Sequence, residues 1–391
     1  MLAPQALAPR TASPFVAGLI PRYSSCHKPM VPAETNGLGA DRMATIVEVA
    51  RRADVSIATV SNVIRGTRKV SPKLTERVQI AIRELNYSPN EIARSLKVRQ
   101  TRMLAMVLPD ITNPFFPEII RGAEDTAFER GYFLMTANTD EQIGRERRIV
   151  AALRSYRVDG VLLASASGTD TTHLKSTIAA GVALVCLDRT VPGVKTDAVL
   201  LDNVRGAREC VRHMIQKGHR RIAIITGSLD LQTGRERLRG YEEALREADI
   251  PAEKGRVLEG DFRHDSGYRL GKQIMEQTAR PTAIFVCNGV MTLGVLKAFE
   301  ELNIRCPQDV ALATFDDLAV DSPFHPHLTT VVQPSYEMGA RAAGILIDRI
   351  EGRISKEPTT VRVAPTLIIR ESTDAPHKLH AKPTARLRPT R

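Results

Sequence analysis

Residues 45–64 read TIVEVARRADVSIATVSNVI, and the order of polar and apolar letters predicts two short helices joined by a tight turn. Thr45 is a helix N-cap, and Glu48 three residues later completes a capping box, in which each side chain satisfies a backbone N–H of the first turn. Ile46, Val49, Ala50 and Ala53 then fall on one helical face. Asp54-Val55 forms the turn, and Ser56 caps a second helix with Val60, Val63 and Ile64 inward. Ser71, with Pro72 at the first helical position, opens a third helix whose stripe is Leu74, Val78, Ala81, Ile82 and Leu85. Helix, short turn, helix is a helix-turn-helix, predicted here as an all-α domain over residues 43–89.

In such a motif the second helix lies in the DNA major groove with its N-terminal side chains toward the bases. Those are Ile57, Ala58, Thr59, Ser61 and Asn62. An Asn amide pairs bidentately with adenine, and small apolar groups meet thymine methyls. Arg51, Arg65, Arg68, Lys69, Lys73 and Arg77 around them suit phosphates or plain solvation. The charge supports the nucleic-acid reading. Of the whole-chain excess of +11, residues 43–100 hold +6 (eleven basic, five acidic), residues 1–42 hold +2 and residues 371–391 hold +3. Residues 101–370 carry 35 of each sign and sum to zero.

From residue 103 the texture changes. Short apolar runs at 103–108, 132–135, 160–163, 182–187, 221–225, 283–286 and 310–313 alternate with helical stretches at 116–130, 142–155, 204–217, 236–248, 268–276 and 291–302. Continuous apolar strands alternating with helices predict parallel sheets covered on both faces, and about 270 residues exceed one usual core, so two lobes are expected. Residues 1–42 are Ala-, Pro- and Ser/Thr-rich and aperiodic. They are expected to be a disordered extension, with a start at Met43 as the alternative. Residues 371–391 are expected to be a basic disordered tail. No apolar run approaches membrane-span length, and four prolines between Met1 and Tyr23 break any signal-peptide core. Five scattered cysteines without a CxxC argue against disulfides and zinc. The expected setting is cytoplasmic, with no cofactor and no metal.

The runs Thr45-Ile46, Val55-Ser56, Thr59-Val60-Ser61, Val70-Ser71-Pro72, Tyr87-Ser88-Pro89-Asn90 and Ala93-Arg94-Ser95-Leu96 resemble the lactose/galactose repressor (LacI/GalR) family, the hinge being most similar to its purine-repressor branch. The likeness continues through Asp110-Ile111-Thr112-Asn113-Pro114-Phe115-Phe116, Asn138-Thr139-Asp140, Arg157-Val158-Asp159-Gly160, Asp188-Arg189, Lys217-Gly218-His219, Phe315-Asp316-Asp317 and Leu328-Thr329-Thr330-Val331, over roughly residues 44–370. It implies a hinge at 90–100 that folds on operator DNA, with Leu96 as a minor-groove wedge and Lys97 beside it. It extends the DNA-contacting set to Thr45, Ser56, Arg65, Tyr87, Asn90 and Arg94. It implies a two-lobed, periplasmic-binding-protein-like (type I) α/β effector domain over 101–370, with the N-lobe at about 101–188 and 308–333 and the C-lobe at about 189–307 and 334–370.

By motif position Phe115 and Phe262 are ring-stacking walls of the effector cleft, and Arg237, Asn288, Asp188 and Asp316 are polar contacts. Asn113, Ser165, Arg189 and Gln333 stand behind them. Two departures occur: Gly289 where the family has Asp, and Thr314 where it has Gly. The first suits a more anionic ligand or merely alters a helix cap.

The implied protein is a homodimeric repressor of a palindromic operator, controlled by a sugar, sugar acid or related small molecule. A solute-binding protein of sugar transport is the alternative. No nucleophile motif, GxGxxG or metal spacing points to an enzyme. Leu96→Ala should weaken specific operator binding more than non-specific binding in a salt-controlled mobility-shift assay; equal losses would remove the wedge role.

Overall fold

The computed structural model describes residues 44–66, 68–88, 100–318 and 325–374. The chain divides into two units, residues 1–90 and 91–391. The expectations on residues 1–43, Asn90, Arg94, Leu96 and Lys97 lie outside the described residues, as does the chain from 375 onward.

The first unit holds α1 (Ile46–Arg52), α2 (Ile57–Arg65) and α3 (Pro72–Glu84). The capping box is formed: Thr45 N donates to Glu48 Oε2 (2.7 Å) and Glu48 N donates to Thr45 Oγ1 (3.3 Å). At the other end of α1, Asp54 takes a left-handed conformation (φ 51°) and Val55 N donates to Ala50 O (3.0 Å), a Schellman-type stop. Arg77 on α3 donates to both the carbonyl and the carboxylate of Asp54, at 3.1 and 3.0 Å, which fixes the angle between α1 and α2. The helices close over Val49, Ala50, Ala53, Val60, Val78 and Ala81, all buried, with Ile46, Val55, Val63, Ile64, Ile82, Leu85 and Tyr87 packed around them.

The second unit contains two six-stranded sheets. The first has β1 (Met103–Leu108), β2 (Phe133–Asn138), β3 (Gly160–Leu163), β4 (Ala183–Leu187), β5 (Asp197–Leu201) and β11 (Thr360–Val363), in the order β11-β5-β4-β3-β1-β2, all parallel. The second has β6 (Ile222–Thr226), β7 (Val257–Glu259), β8 (Ala283–Val286), β9 (Ala311–Phe315), β10 (Thr329–Val332) and β12 (Thr366–Ile368), in the order β12-β10-β9-β8-β6-β7, with only β12 antiparallel. Helices α4 (Phe115–Glu129), α5 (Ile143–Ser155), α6 (Thr172–Ala179) and α11 (Ser335–Ile350) cover the first sheet. Helices α7 (Asn203–Gln216), α8 (Gln232–Glu247), α9 (His264–Met275) and α10 (Gly289–Glu301) cover the second.

This division corrects the expected lobe boundaries. Strand β5 pairs with β4 and so belongs to the first lobe. Strands β9 and β10 pair with β8 and with each other, placing 311–332 in the second lobe rather than the first. Helix α11 returns to the first lobe because its apolar face packs on α4 and on β3, β4 and β5. The chain therefore crosses between lobes after β5, after β10 and between β11 and β12. The expected tail also begins too early. Ser372 and Thr373 are fully buried, and Ser372 Oγ donates to Leu312 O (2.7 Å), so 371–374 are part of the second lobe.

Helices α4 and α11 meet backbone to backbone. A Cβ built on Gly122 would lie 2.0 Å from Tyr336 O, and one on Gly339 would lie 2.0 Å from Ile119 O. Gly339→Ala should therefore destabilise the protein by about 1–3 kcal/mol through overpacking. Gly344→Ala, on the same helix with nothing within 4 Å, should be neutral or slightly stabilising. Chemical denaturation of the two variants checks this, and equal stabilities would contradict the close crossing.

Candidate functional site

The candidate reading surface in the first unit is the N-terminal half of α2. Val60 is buried beneath it, whereas Ile57 is 48% exposed and Ala58 is open to solvent. Ser56 Oγ accepts from Thr59 N (3.1 Å) and lies 2.9 Å from Thr59 Oγ1, so these two hydroxyls hold each other. Thr45 is engaged with Glu48 in the same way, Oγ1 to Oε2 at 2.9 Å. Both are first of all caps that orient α1 and α2. Tyr87 packs partly buried against the helical core. Among the described residues Arg51, Arg65, Arg68, Lys69 and Lys73 form no ion pair, whereas Arg52 pairs with Glu84 and Arg77 with Asp54. The unpaired cations flank α2 in sequence, mostly beyond its C-terminal end, a charge distribution that suits a polyanion.

In the second unit a cleft opens at the carboxyl ends of strands from both sheets, where ligands of parallel α/β folds bind. It is lined by Asn113, Phe115 and Phe116 after β1, Glu141 after β2, and Asp188 and Arg189 after β4. Asp261, Phe262 and Arg263 follow β7, and Asn288, Asp316 and Gln333 follow β8, β9 and β10. The cavity between these residues is small, about 40 Å³, so the two lobes stand close together over the cleft. Glu141, Asp188, Phe262 and Asp316 all have left-handed backbones (φ 55°, 66°, 66° and 70°). Such conformations cost non-glycine residues about 1–3 kcal/mol each and persist where the surroundings over-determine them.

The polar groups are tightly positioned. Arg189, 4% exposed, donates through Nη2 to Glu141 Oε1 (3.1 Å) and lies 3.6 Å from Asp188 Oδ2. Burial opposes its charge, yet Glu141 and Asp188 outweigh burial and its pKa is raised. Burial pushes the Asp188 carboxyl up, against the pull of Arg189 and Arg237. Arg237 is clamped by Asn203 Oδ1 (2.8 Å) and Cys287 O (2.5 Å), its guanidinium 3.9 Å above the Phe315 ring. It pairs with neither Glu236 nor Glu243. Gln333 Nε2 donates to Asp316 Oδ1 (2.5 Å). The lobes are tied across the cleft by Arg263 Nη2 to Asp140 O (2.8 Å), and by Thr190 N and Oγ1 to Gln232 Oε1 (2.7 Å each).

Known proteins share both units. The model of bacterial regulatory proteins of the lacI family matches residues 45–90, and that of the periplasmic binding protein-like domain matches residues 211–373. The HTH-type transcriptional repressor PurR of Erwinia tasmaniensis is 38% identical over 338 residues, covering 86% of this chain and 99% of the relative. The chain belongs to the LacI family. Among solved structures, the LacI-family likeness extends to the transcriptional regulator CelR in complex with cellobiose (34% identity, TM-score 0.65, covering 84% of this chain and 99% of that one). It extends also to the lac repressor dimer bound to operator and an anti-inducer (26% identity, TM-score 0.76, covering 85% and 100%). A LacI-family chain is a DNA-binding transcription regulator, not an enzyme.

Within this LacI-family cleft the structure gathers nine of the ten expected effector residues. Ser165 is the exception. It is fully buried away from the cleft lining, its Oγ donating to Glu146 Oε1 (3.0 Å), an oxygen that also lies 2.6 Å from His173 Nε2. Asn288 lines the cleft, but its amide is taken up structurally: Oδ1 caps α10 at Met291 N (2.9 Å) and Nδ2 holds Phe262 O (3.1 Å). Asn113 Oδ1 likewise accepts from Phe115 N (3.1 Å). Glu141, Asp261 and Arg263 were not among the expected residues. Glu141 follows directly on the Asn138-Thr139-Asp140 motif, which is the signal that marks it.

The two departures are structural. Thr314 Oγ1 is buried against Thr292 Oγ1 (2.7 Å) and does not face the cleft. A Cβ on Gly289 would lie 2.7 Å from Leu318 Cδ2, so glycine makes room for that leucine beside Asp316.

Proposed function

We propose that this LacI-family regulator is a homodimeric repressor whose cleft takes a neutral polyhydroxyl ligand, a sugar or close relative, that alters operator affinity. One observation carries the ligand class. Asp188 Oδ1, Glu141 Oε2 and Gln333 Oε1 are buried without a hydrogen-bond partner, and so are Arg189 Nε and Nη1. All four residues line the cleft. A buried unpaired polar atom costs about 1–3 kcal/mol, so the site is built for a guest that supplies the missing partners. Three orphan acceptors on two lobes call for donors pointing in several directions, which ring hydroxyls offer. Phe115 and Phe262 provide apolar surface for the ring's C–H faces.

An anionic guest is not favoured. Asp110, Glu141, Asp188, Asp261 and Asp316 outnumber Arg189, Arg237 and Arg263 along the lining, and Arg237 and Arg263 are already engaged with protein oxygens. A transport role is not favoured either, because the matched family is one of DNA-binding regulators. Such regulators work in the cytoplasm, and no helix among the described residues is long and apolar enough to cross a membrane. For the dimer, the first lobe presents Phe133 (66% exposed) on β2, the edge strand of its sheet, and Phe128 (81% exposed) on neighbouring α4. Exposed aromatic groups beside a free strand edge suit a self-complementary interface.

The test is a mobility-shift assay on the DNA upstream of the gene, repeated with neutral sugars, sugar acids and purine bases. A palindromic duplex should be bound with strong salt dependence, and a neutral sugar should shift its apparent Kd by about 5–150-fold, the usual span of coupling energies. A response confined to purines or to sugar acids would overturn the ligand class. Absence of any preferred duplex would overturn the regulator.

A further inference from the structure

The segment leading into β10 and the turn that follows β12 bring three metal-ligating side chains to one place on the second lobe. His325 and His327 stack edge to face with ring centroids 4.5 Å apart. Glu371 Oε1 lies 3.1 Å from His327 Nδ1 and 3.9 Å from His325 Nδ1. One donor atom from each of the three residues falls within 4.8 Å of the other two. An ordinary ion pair needs one imidazole per carboxylate. Here two converge on the same carboxylate oxygen, and both remain accessible.

The surrounding structure holds this cluster in place. His327 N donates to Glu371 Oε1 (3.1 Å), and Ser372 N donates to His327 O (3.3 Å). The neighbours on either side are buried: Ser372 Oγ accepts from Thr329 N (2.8 Å), and Thr329 Oγ1 lies 2.7 Å from Thr373 Oγ1. The Glu371 carboxylate thus accepts from the His327 backbone while facing both imidazoles. The adjacent Arg370 is turned away. Its guanidinium grips Asp317 with two bonds (3.1 and 3.0 Å) and the Leu328 carbonyl (2.7 Å), which neutralises the nearest cation.

We propose that His325, His327 and Glu371 form a surface site for one divalent transition-metal ion of the zinc type, clipping the turn at 371–373 to the segment at 325–328. Two imidazoles and a carboxylate suit Zn²⁺, Co²⁺, Ni²⁺ or Cu²⁺, whereas Mg²⁺ and Ca²⁺ favour all-oxygen sites. Three protein ligands leave the fourth tetrahedral position to water. Tetrahedral ligand atoms about 2.0–2.1 Å from zinc sit about 3.3 Å apart, so closing the site needs side-chain shifts of about an ångström. Histidines two residues apart with a carboxylate 44 positions further on match no common ligand spacing, and this is why the sequence alone gives no metal signal.

The experiment uses the untagged full-length homodimer, stripped with a chelator. Zn²⁺ is titrated calorimetrically and in thermal unfolding, with Mg²⁺ as the comparison. Zn²⁺ but not Mg²⁺ should bind and raise the Tm. His327→Ala and Glu371→Gln should each weaken one zinc site per protomer by at least about tenfold, the loss typical even of outer-shell changes. His264→Ala should leave it intact. His325 is the most exposed ligand, so His325→Ala keeps the test decisive if substitutions at His327 impair folding. Absence of zinc-dependent heat and Tm shift, or an unchanged site count and affinity in His325→Ala, would overturn the proposal.

Discussion

Everything in the effector unit is arranged around a constraint at its centre: two parallel sheets meet with the carboxyl ends of their strands converging on one cleft, and the side chains there are polar and buried. Arg189 is charged at 4% exposure, with two of its three nitrogens lacking hydrogen bonds. Asp188 is raised by burial although a guanidinium stands beside it. Such groups are tolerated in a protein interior only when other groups hold them. Glu141 holds Arg189, Asn203 and the Cys287 carbonyl hold Arg237, and Asn288 fixes the Phe262 backbone. The left-handed backbones at Glu141, Asp188, Phe262 and Asp316 belong to the same arrangement, since each turns a side chain into the cleft at a strand end.

Much of the fold was legible because local chemistry declares it. Thr45, Glu48, Ser56 and Pro72 mark helix starts by hydrogen-bonding capacity and ring geometry alone, and all four perform as read. The run at 103–108 reads as a strand covered on both faces, and five of its six residues, Leu104 to Leu108, are buried. The failures are equally physical. β10 is written Thr-Thr-Val-Val and β7 spans three residues, so neither carries an apolar run. β5 opens with Asp197, a buried carboxylate that looks like a loop residue until Arg349 is seen holding it at 2.7 and 2.9 Å. The lobe assignment failed because alternation of strand and helix says nothing about which sheet a strand joins. Only the pairing of β9 with β8 decides that.

At the cleft, Arg189, Asp188, Asp316 and Gln333 were reachable through strand-end position. Ser165 lies away from the cleft, and Asn288 lines it with its amide already engaged. Ser165 satisfies a buried glutamate in its own lobe, and Asn288 is a helix cap. Both are bonds to partners distant in sequence or to backbone groups, which no motif records. The charge division has a simpler origin. A module that reads DNA needs excess cations near the phosphates, whereas the effector body has no such requirement. The chain separates +6 on residues 43–100 from zero on residues 101–370 accordingly.

The central claim is that the orphan polar atoms of the cleft are ligand contacts rather than a structural oddity. Calorimetric titration of the wild-type homodimer and of Asp188→Asn with the sugar that shifts operator binding tests it most directly. The account predicts at least a tenfold weaker Kd in the variant, about 1.4 kcal/mol or more, with ligand-free operator affinity unchanged. An unchanged sugar Kd in Asp188→Asn would contradict it.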